Sequence, residues 1–426
     1  MVDLRSYYKT ETSSIRSRDR RPVDPAIGGT MEDGGTCLPD DVLVQIFLLV
    51  PARSRRPLRL VCKGWRDVID ERAPPPVDDK LPTKILVFIN QGRRSSAVVF
   101  DGGSRHRTRE RTYTSSRDGG RVRMVGTCNG LLCLHDHSTT YAGFSISTIT
   151  VTNPVTGETA ALPPVPRRWA WAQLAKAPGH YSFGFHPETK LHKVVYIPRG
   201  HRWSLDALQV FTLGSKAWRA VPVHVRGACH DLLCEPISVA GTTYWLAAGR
   251  VMALDLGPDE RVTSLDAPPA KMVRPAPSRP ATRKRRDTSW RLTKVGTSLG
   301  VVVPSAGMFA GRVDVWVLDV DGGGEKKPLQ WSRRYSIAEY KWGSWVMAPQ
   351  LTHGNYVLSA EHEWGFSCSR VYRHEVGELV DGGDDDWQRQ LPPVKGVQLI
   401  MSKEEREGEL TTFAYVETWN PVPRSK

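Results

Sequence analysis

The sequence predicts an α+β multidomain protein, in which a small all-α module precedes a large all-β, β-propeller-like domain. Three observations carry this. Apolar residues fall at helical spacing between Leu43 and Ile69, the spacing switches to two from about Lys80 onward, and a strand-then-turn unit recurs down the second region. A chain of 426 residues is about two to three times a typical domain, so more than one folding unit is expected.

Residues 1–36 carry six basic and six acidic residues and few large apolar ones, the composition of a disordered tail. Residues 37–72 differ. In PDDVLVQIFLLVP, Leu43, Ile46, Phe47 and Val50 share one helix face. Pro39 and the Asp40–Asp41 pair suit a helix start, and Pro51 ends it. Ser54 is then expected to cap a second helix in which Leu58, Val61, Cys62, Trp65, Val68 and Ile69 keep helical spacing, with Pro57 in its first turn. A unit of about 35 residues buries too little surface to stand alone, so another chain should complete its apolar faces.

Residues 73–83 read as a linker and 84–420 as the β domain. Its runs are KILVFI, AVVF, LLCLH, ITVTN, KVVYI, LQVFTL, TTYWLA, VMALDL, LGVVV, VDVWVLD, NYVLSA and RVYRHEV, separated by turn signals such as Asn129-Gly130, Asn153-Pro154 and Asp321-Gly322. Strands without intervening helices make the domain all-β. The recurring unit starts at Val151, Gln209, Val251, Asp314 and Arg370. A repeat of roughly 40 to 50 residues is that of a four-stranded propeller blade. Trp218, Trp331 and Trp387 take equivalent places in three copies.

The net charge is +14. Residues 92–123 hold nine Arg against Asp101, Glu110 and Asp118, a net of +6, and residues 267–291 hold eight Lys and Arg against Asp287, a net of +7. Both stretches read as basic loops on a near-neutral scaffold, so the charge says little about the core activity. The longest apolar run, Val42 to Val50, is nine residues and contains Gln45, so no membrane partner is expected. The first residues lack an apolar leader segment, and the seven cysteines are expected to be reduced thiols in the nucleus or cytoplasm.

Several features invite sharper readings. Cys128, Cys133, His135 and His137 form a Cys-x4-Cys-x-His-x-His cluster, partly echoed by Cys229, His230 and Cys234. Finger and ribbon spacings are absent, and Leu131-Leu132 favours a buried strand with small apolar cysteines, so no metal and no cofactor is expected. No phosphate-binding loop, nucleophile elbow or zinc-protease signature occurs, so no catalytic residue is assigned. Trp169, Trp171, Trp203, Trp342 and Trp345 lie in loop-like stretches that could line a recognition surface. Arg283, Lys284, Arg285 and Arg286 read either as a nuclear localisation signal or as a solvated loop.

The run LPDDVLVQIFLLVPARSRRPLRLVCKGWRDVI, from Leu38 to Ile69, resembles the F-box: a Leu-Pro pair opens an amphipathic helix, a second Pro closes it, and Val61-Cys62-Lys63-Gly64-Trp65-Arg66 sits on the next helix. Downstream, GTCNGLLCLHD, ITVTNPVTGETAALPP, YSFGFHPETKLHKVVYI, FTLGSKAWRAVPV and GTTYWLAAG resemble the F-box-associated domain of plant F-box proteins, in that family's order. Where most F-boxes carry two leucines and an arginine, this chain has Arg55, Arg56 and Pro57, which should shorten or fray the start of the second helix, leaving the effect on adaptor affinity open.

The resemblance implies a non-catalytic substrate-recognition subunit of a Skp–cullin–F-box ubiquitin ligase. Leu38, Pro39, Leu43, Ile46, Phe47, Pro51, Val61, Cys62 and Trp65 would serve the Skp adaptor, and through it cullin and RING subunits. The β domain would hold an unidentified substrate protein. Two alternatives remain: a nucleic-acid-binding protein using the basic loops, and an F-box protein acting outside any ligase. Nucleic acid is not the expected partner, because the helical segment 37–72 carries only +2 and a reader helix has no use for Leu38-Pro39 or Trp65.

Overall fold

The computed structural model describes residues 38–50, 52–72, 83–269 and 290–423, less short internal segments of which 167–178, 320–329 and 376–394 are the longest; for 335–409 it describes backbone alone. The expected tail, most of the linker and most of the basic stretch 267–291 lie outside the described residues.

Helix α1 (Asp40–Leu49) starts where the prolines and aspartates place it. Pro39 is its N-cap, and the Pro39 carbonyl accepts from the amides of Val42 at 2.9 Å and Leu43 at 3.1 Å. The single second helix expected from Ser54 does not form. Instead α2 (Ala52–Leu58) begins before Ser54, the chain turns at Arg59–Val61, and α3 (Lys63–Asp67) restarts and runs into a π-helical turn, Val68–Arg72. Pro57 therefore sits in the last turn of α2 rather than the first, where its missing N–H removes one of the few bonds a short helix has. Cys62 makes the restart possible. It is the N-cap of α3, its Sγ accepting from the Trp65 amide at 3.3 Å.

Arg55 also departs from expectation. Rather than fraying α2 it is buried, and its guanidinium donates Nε–H to the Val50 carbonyl at 2.7 Å and Nη2–H to that of Leu48 at 3.1 Å. The last carbonyls of α1 thus find a charged donor. Arg72 closes the other end, lying 3.6 Å from Asp40 and in contact with Asp41 at the start of α1. Leu43, Phe47, Val68 and Ile69 form the module's core, with Val44, Leu58 and Trp65 packed on it.

The β domain is a propeller of five sheets. Sheet I takes β25 (Glu409–Tyr415), β1 (Lys84–Gln91), β2 (Arg94–Phe100) and β3 (Arg107–Thr114), in that order. Sheet II is β4 (Arg121–Cys128), β5 (Leu131–Thr139), β6 (Ser145–Thr152) and β7 (Thr159–Ala161). Sheet III is β8 (His180–His186), β9 (Leu191–Ile197), β10 (Ala207–Thr212) and β11 (Arg219–Pro222). Sheet IV is β12 (Ile237–Val239), β13 (Thr242–Ala247), β14 (Arg250–Asp255) and β15 (Val262–Leu265).

Sheet V has nine strands. One meander is β16 (Arg291–Val295), β17 (Ser298–Ser305), β18 (Arg312–Asp319) and β19 (Gln330–Ala338). The other is β21 (Leu351–His353), β22 (Tyr356–Glu363), β23 (Cys368–Glu375) and β24 (Lys395–Glu404), with β20 (Trp345–Val346) beside β22. A single parallel bridge, Val295 to Thr352, joins them.

First strands make the ring. β4 meets β8, β8 meets β12, β12 meets β16, and β21 meets β25, which in turn meets β4. The C-terminal strand therefore supplies the first strand of the N-terminal sheet, and this closes the circle. Sheets I to IV bury both faces. On β9, Val194 and Tyr196 join the core between sheets II and III, while Val195 and Ile197 join that between III and IV. That is why KVVYI reads as a continuous apolar run.

The recurring sequence unit is the hairpin of third and fourth strands: β6–β7, β10–β11, β14–β15 and β18–β19, the Arg370 copy opening on β23. Its tryptophans tie sheet to sheet. Trp218 donates Nε1–H to the Pro163 carbonyl just past β7 at 2.7 Å, and Trp331 donates to that of Asp266 just past β15 at 2.9 Å. Trp387 lies outside the described residues.

The basic stretch 92–123 is not a loop. It contains β2, β3 and the start of β4. Its arginines alternate along β3, the outer edge of sheet I, where charge discourages pairing with another chain's strand. Three are already engaged: Arg107 with Glu110 at 2.9 Å, Arg109 with Glu417 at 3.4 Å, and Arg111 with the Pro154 carbonyl at 3.0 Å.

Candidate functional site

Helix α1 is apolar on nearly every side, the pattern of a helix meant to be covered all round. The module covers only one side. Leu43 and Phe47 point inward, and Phe47 meets the Trp65 ring edge-on at 5.1 Å. Leu38, Val42, Ile46 and Leu49 stay exposed, Leu49 at 86%. Their spacing of four, four and three residues puts them in one stripe. Leu60, 87% exposed, Val61 and Cys62 are likewise exposed, on the turn between α2 and α3.

The nine residues expected to serve a partner thus divide. Leu38, Pro39, Ile46, Val61 and Cys62 are exposed. Leu43 and Phe47 are buried in the module's own core. Trp65 is half-buried against Phe47, and Pro51 lies outside the described side chains. Val42, Leu48, Leu49 and Leu60 were not anticipated. For Val42 and Leu49 the signal is a second apolar stripe, shared with Ile46, beside the Leu43–Phe47 face.

One ion pair fixes this surface relative to the propeller. Arg59, next to Leu60, lies 2.9 Å from Glu158 in the β6–β7 connection, both largely buried. The other Glu158 oxygen accepts from the Val422 amide at 3.1 Å. Asn153 secures the same place: fully buried, it donates to the carbonyls of Thr418 at 3.1 Å and Asn420 at 2.8 Å while accepting from the Val155 amide at 2.8 Å. Gly130, at φ 77°, leaves room for the returning chain, since a Cβ there would collide with Thr418 and lie 2.6 Å from the Val416 carbonyl.

The cysteine and histidine cluster is built into the core. Cys133 is fully buried between sheets II and III, and burial pushes the Cys128 thiol up to about 12. His135 and His137 stack at 5.1 Å. Among the described residues no group of three or more His, Cys, Asp or Glu side chains is placed to hold a metal ion. Cys229 and His230, the Arg283–Arg286 run, and Trp169, Trp171, Trp203 and Trp342 lie outside the described residues; Trp345 opens β20.

Family comparison agrees with this division of the chain. Residues 36–74 match the F-box domain, and residues 84–364 match the F-box associated beta propeller domain. An F-box protein of Arabidopsis thaliana is 25% identical over 360 residues, covering 77% of this chain and 79% of that protein. A probable F-box protein of the same plant is 26% identical over 228 residues, with 50% of this chain and 49% of that one covered. A putative F-box protein from it is 25% identical over 260 residues, covering 56% and 75%. With an N-terminal F-box on a helical module whose outer face is uncovered, and the second match spanning most of the propeller, the chain belongs to the family of F-box proteins that carry an F-box-associated β-propeller domain.

Proposed function

We propose that this chain is the non-catalytic substrate-recognition subunit of a Skp–cullin–F-box ubiquitin ligase, its helical module docking a Skp adaptor and its propeller holding the substrate protein. The observation that carries the reading is the exposed stripe Leu38, Val42, Ile46 and Leu49, together with exposed Leu60 and Val61, on a module whose own core is already closed. Burying a large aliphatic side chain yields about 1.5–3 kcal/mol, so six of them supply enough drive for a stable docking site. The cullin and RING subunits then approach through the adaptor, and the transfer chemistry resides in them.

Affinity capture tests this. The wild-type chain should retain a Skp adaptor, and the triple change Leu38→Ala, Pro39→Ala, Ile46→Ala should release it while depletion of the chain removes ubiquitin conjugates from at least one protein. Adaptor capture without any change in conjugates would instead favour action outside a ligase. The assembly would work in the nucleus or cytoplasm, with Arg283–Arg286 as the candidate import signal, tested by relocalisation on changing those four residues to alanine.

A further inference from the structure

The seam between sheets II and III ends in a polar cluster that adaptor docking does not use. In the β4–β5 register Arg121 lies opposite His137 and Arg123 opposite His135, and directly opposed residues of an antiparallel pair share a face. That face looks onto sheet III. His135 lies 4.8 Å from Tyr181 of β8, whose hydroxyl is 3.5 Å from Ser147 Oγ, and His180 Nδ1 is 2.9 Å from Glu235 just before β12. On the opposite face, Arg117 and Asp136 lie 3.6 Å from each other.

Two features mark this cluster as a binding site. Arg121 and Arg123 are exposed, and among the described residues neither lies within ion-pair distance of a carboxylate; Glu235, paired with His180, also attracts Arg123 at longer range, and one carboxylate against two guanidiniums leaves the cluster net positive. In addition, His135 Nε2 and His137 Nδ1 are buried with no hydrogen-bond partner among the described residues, His135 being only 7% exposed. A buried polar atom left without a partner costs about 1–3 kcal/mol, so a ligand oxygen that accepted from an imidazole N–H here would recover that loss. Cationic surroundings select a negative ligand over a metal ion. The site is also free of the helical module. Arg59 contacts Glu158 beyond the far end of β6, roughly 20 Å along the strand from Ser147.

We infer that this seam binds carboxylate side chains of an acidic segment in the protein substrate, gripped between the Arg121 and Arg123 guanidiniums, with the buried imidazoles lining the floor. The chemistry stands on the cluster itself; only the assignment of the segment to a ligase substrate rests on the function proposed above.

The test is fluorescence anisotropy of labelled poly-glutamate and poly-glutamine peptides with the full chain at low ionic strength. The glutamate peptide should bind in the micromolar range and the glutamine peptide should not. The double change R121A/R123A should weaken binding by about tenfold or more, while R94A/R107A, which removes equal charge from sheet I, should leave it unchanged. Equal losses in both double variants would reduce the effect to net charge and overturn the site, as would equal binding of the two peptides. If the alanine pair fails to melt like the wild type, Arg121→Gln and Arg123→Gln, each alone, must each weaken binding by about threefold or the site is overturned. A phosphoserine peptide binding about tenfold tighter than poly-glutamate would replace the carboxylate by a phosphate ligand and overturn the assignment as stated. Adaptor capture on the same preparations separates the two readings: peptide binding without adaptor capture removes the ligase role and leaves the seam site standing.

Discussion

Phe47 and Leu49 show how little separates a core residue from a docking residue. They lie two positions apart on α1, yet Phe47 is fully buried against Trp65 and Leu49 is 86% exposed. Phe47→Ala should cost the module about 3–5 kcal/mol, read as early loss of helical signal while the propeller melts unchanged. Leu49→Asp should shift stability by less than about 0.5 kcal/mol. Cysteines divide the same way. Cys62 is exposed, whereas burial pushes the Cys128 and Cys234 thiols up to about 12 and the Cys133 thiol further still. Site-resolved alkylation should therefore label Cys62 in the native protein, spare the other three until unfolding, and lose the Cys62 signal when an adaptor is bound. Buried imidazoles set an acid limit. Burial, reinforced by His137 and Arg123, lowers His135 to about 3, and burial lowers His192 to about 4. The unfolded chain takes these protons near pH 6.5 and the folded one refuses them, so stability should fall as pH drops from about 6.5 toward 3 to 4. The double change His135→Asn, His192→Asn should flatten the melting-temperature profile in that window; an unaltered slope would rule the two rings out as its source.

Strand β25 carries the closure of the propeller. It pairs with β1 from Lys84–Tyr415 to Asn90–Glu409, and Leu410, Thr412 and Tyr415 are buried along it. Ending the chain before Glu409 should abolish the cooperative melt, and a peptide of residues 409–423 added in trans should restore part of it. Single tryptophan bonds matter less. Trp218→Phe keeps the packing with Phe211 but loses the bond to Pro163, a cost of about 1 kcal/mol. These elements differ in how plainly the sequence announces them. Each of the twelve apolar runs from KILVFI to RVYRHEV overlaps a strand, and those of sheets I to IV are rich in Val, Ile, Leu and aromatic residues because their strands are buried on both faces. RTRERTYT did not read as a strand. At an edge the alternation is charged against polar, so β3 looks like a loop until its partner β2 is known. The second helix was misread for a related reason: helical spacing continues through Leu60 and Val61, but the break depends on where Pro57 falls relative to a start that no residue marks clearly.

At the level of the whole chain, the proposed docking surface and the proposed seam site lie at opposite ends of the sheet II strands. The F-box meets sheet II at Glu158, and the seam with Arg121 and Arg123 lies at the strands' opposite end. The F-box and the propeller were legible from motifs in order, whereas the Arg59–Glu158 contact joins residues 99 positions apart and nothing in either motif encodes it. Arg59→Ala should leave adaptor affinity within about twofold yet speed proteolytic cleavage between module and propeller; unchanged cleavage would mean that the ion pair does not set their relation. The sequence division of charge also changed. Of the nine arginines in 92–123, Arg94, Arg107, Arg109 and Arg111 lie on strands of sheet I, where Arg107 and Arg109 pair with carboxylates, while Arg121 and Arg123 lie on β4 of sheet II. The most direct measurement is the affinity of a purified Skp adaptor for the full chain, wild type against Leu49→Asp combined with Leu60→Asp, with melting curves for both. Wild type should bind at micromolar concentration or tighter, and the variant should melt like the wild type but bind about a hundredfold more weakly. Failure of the wild type to bind, or undiminished binding by the variant, would contradict docking through this stripe.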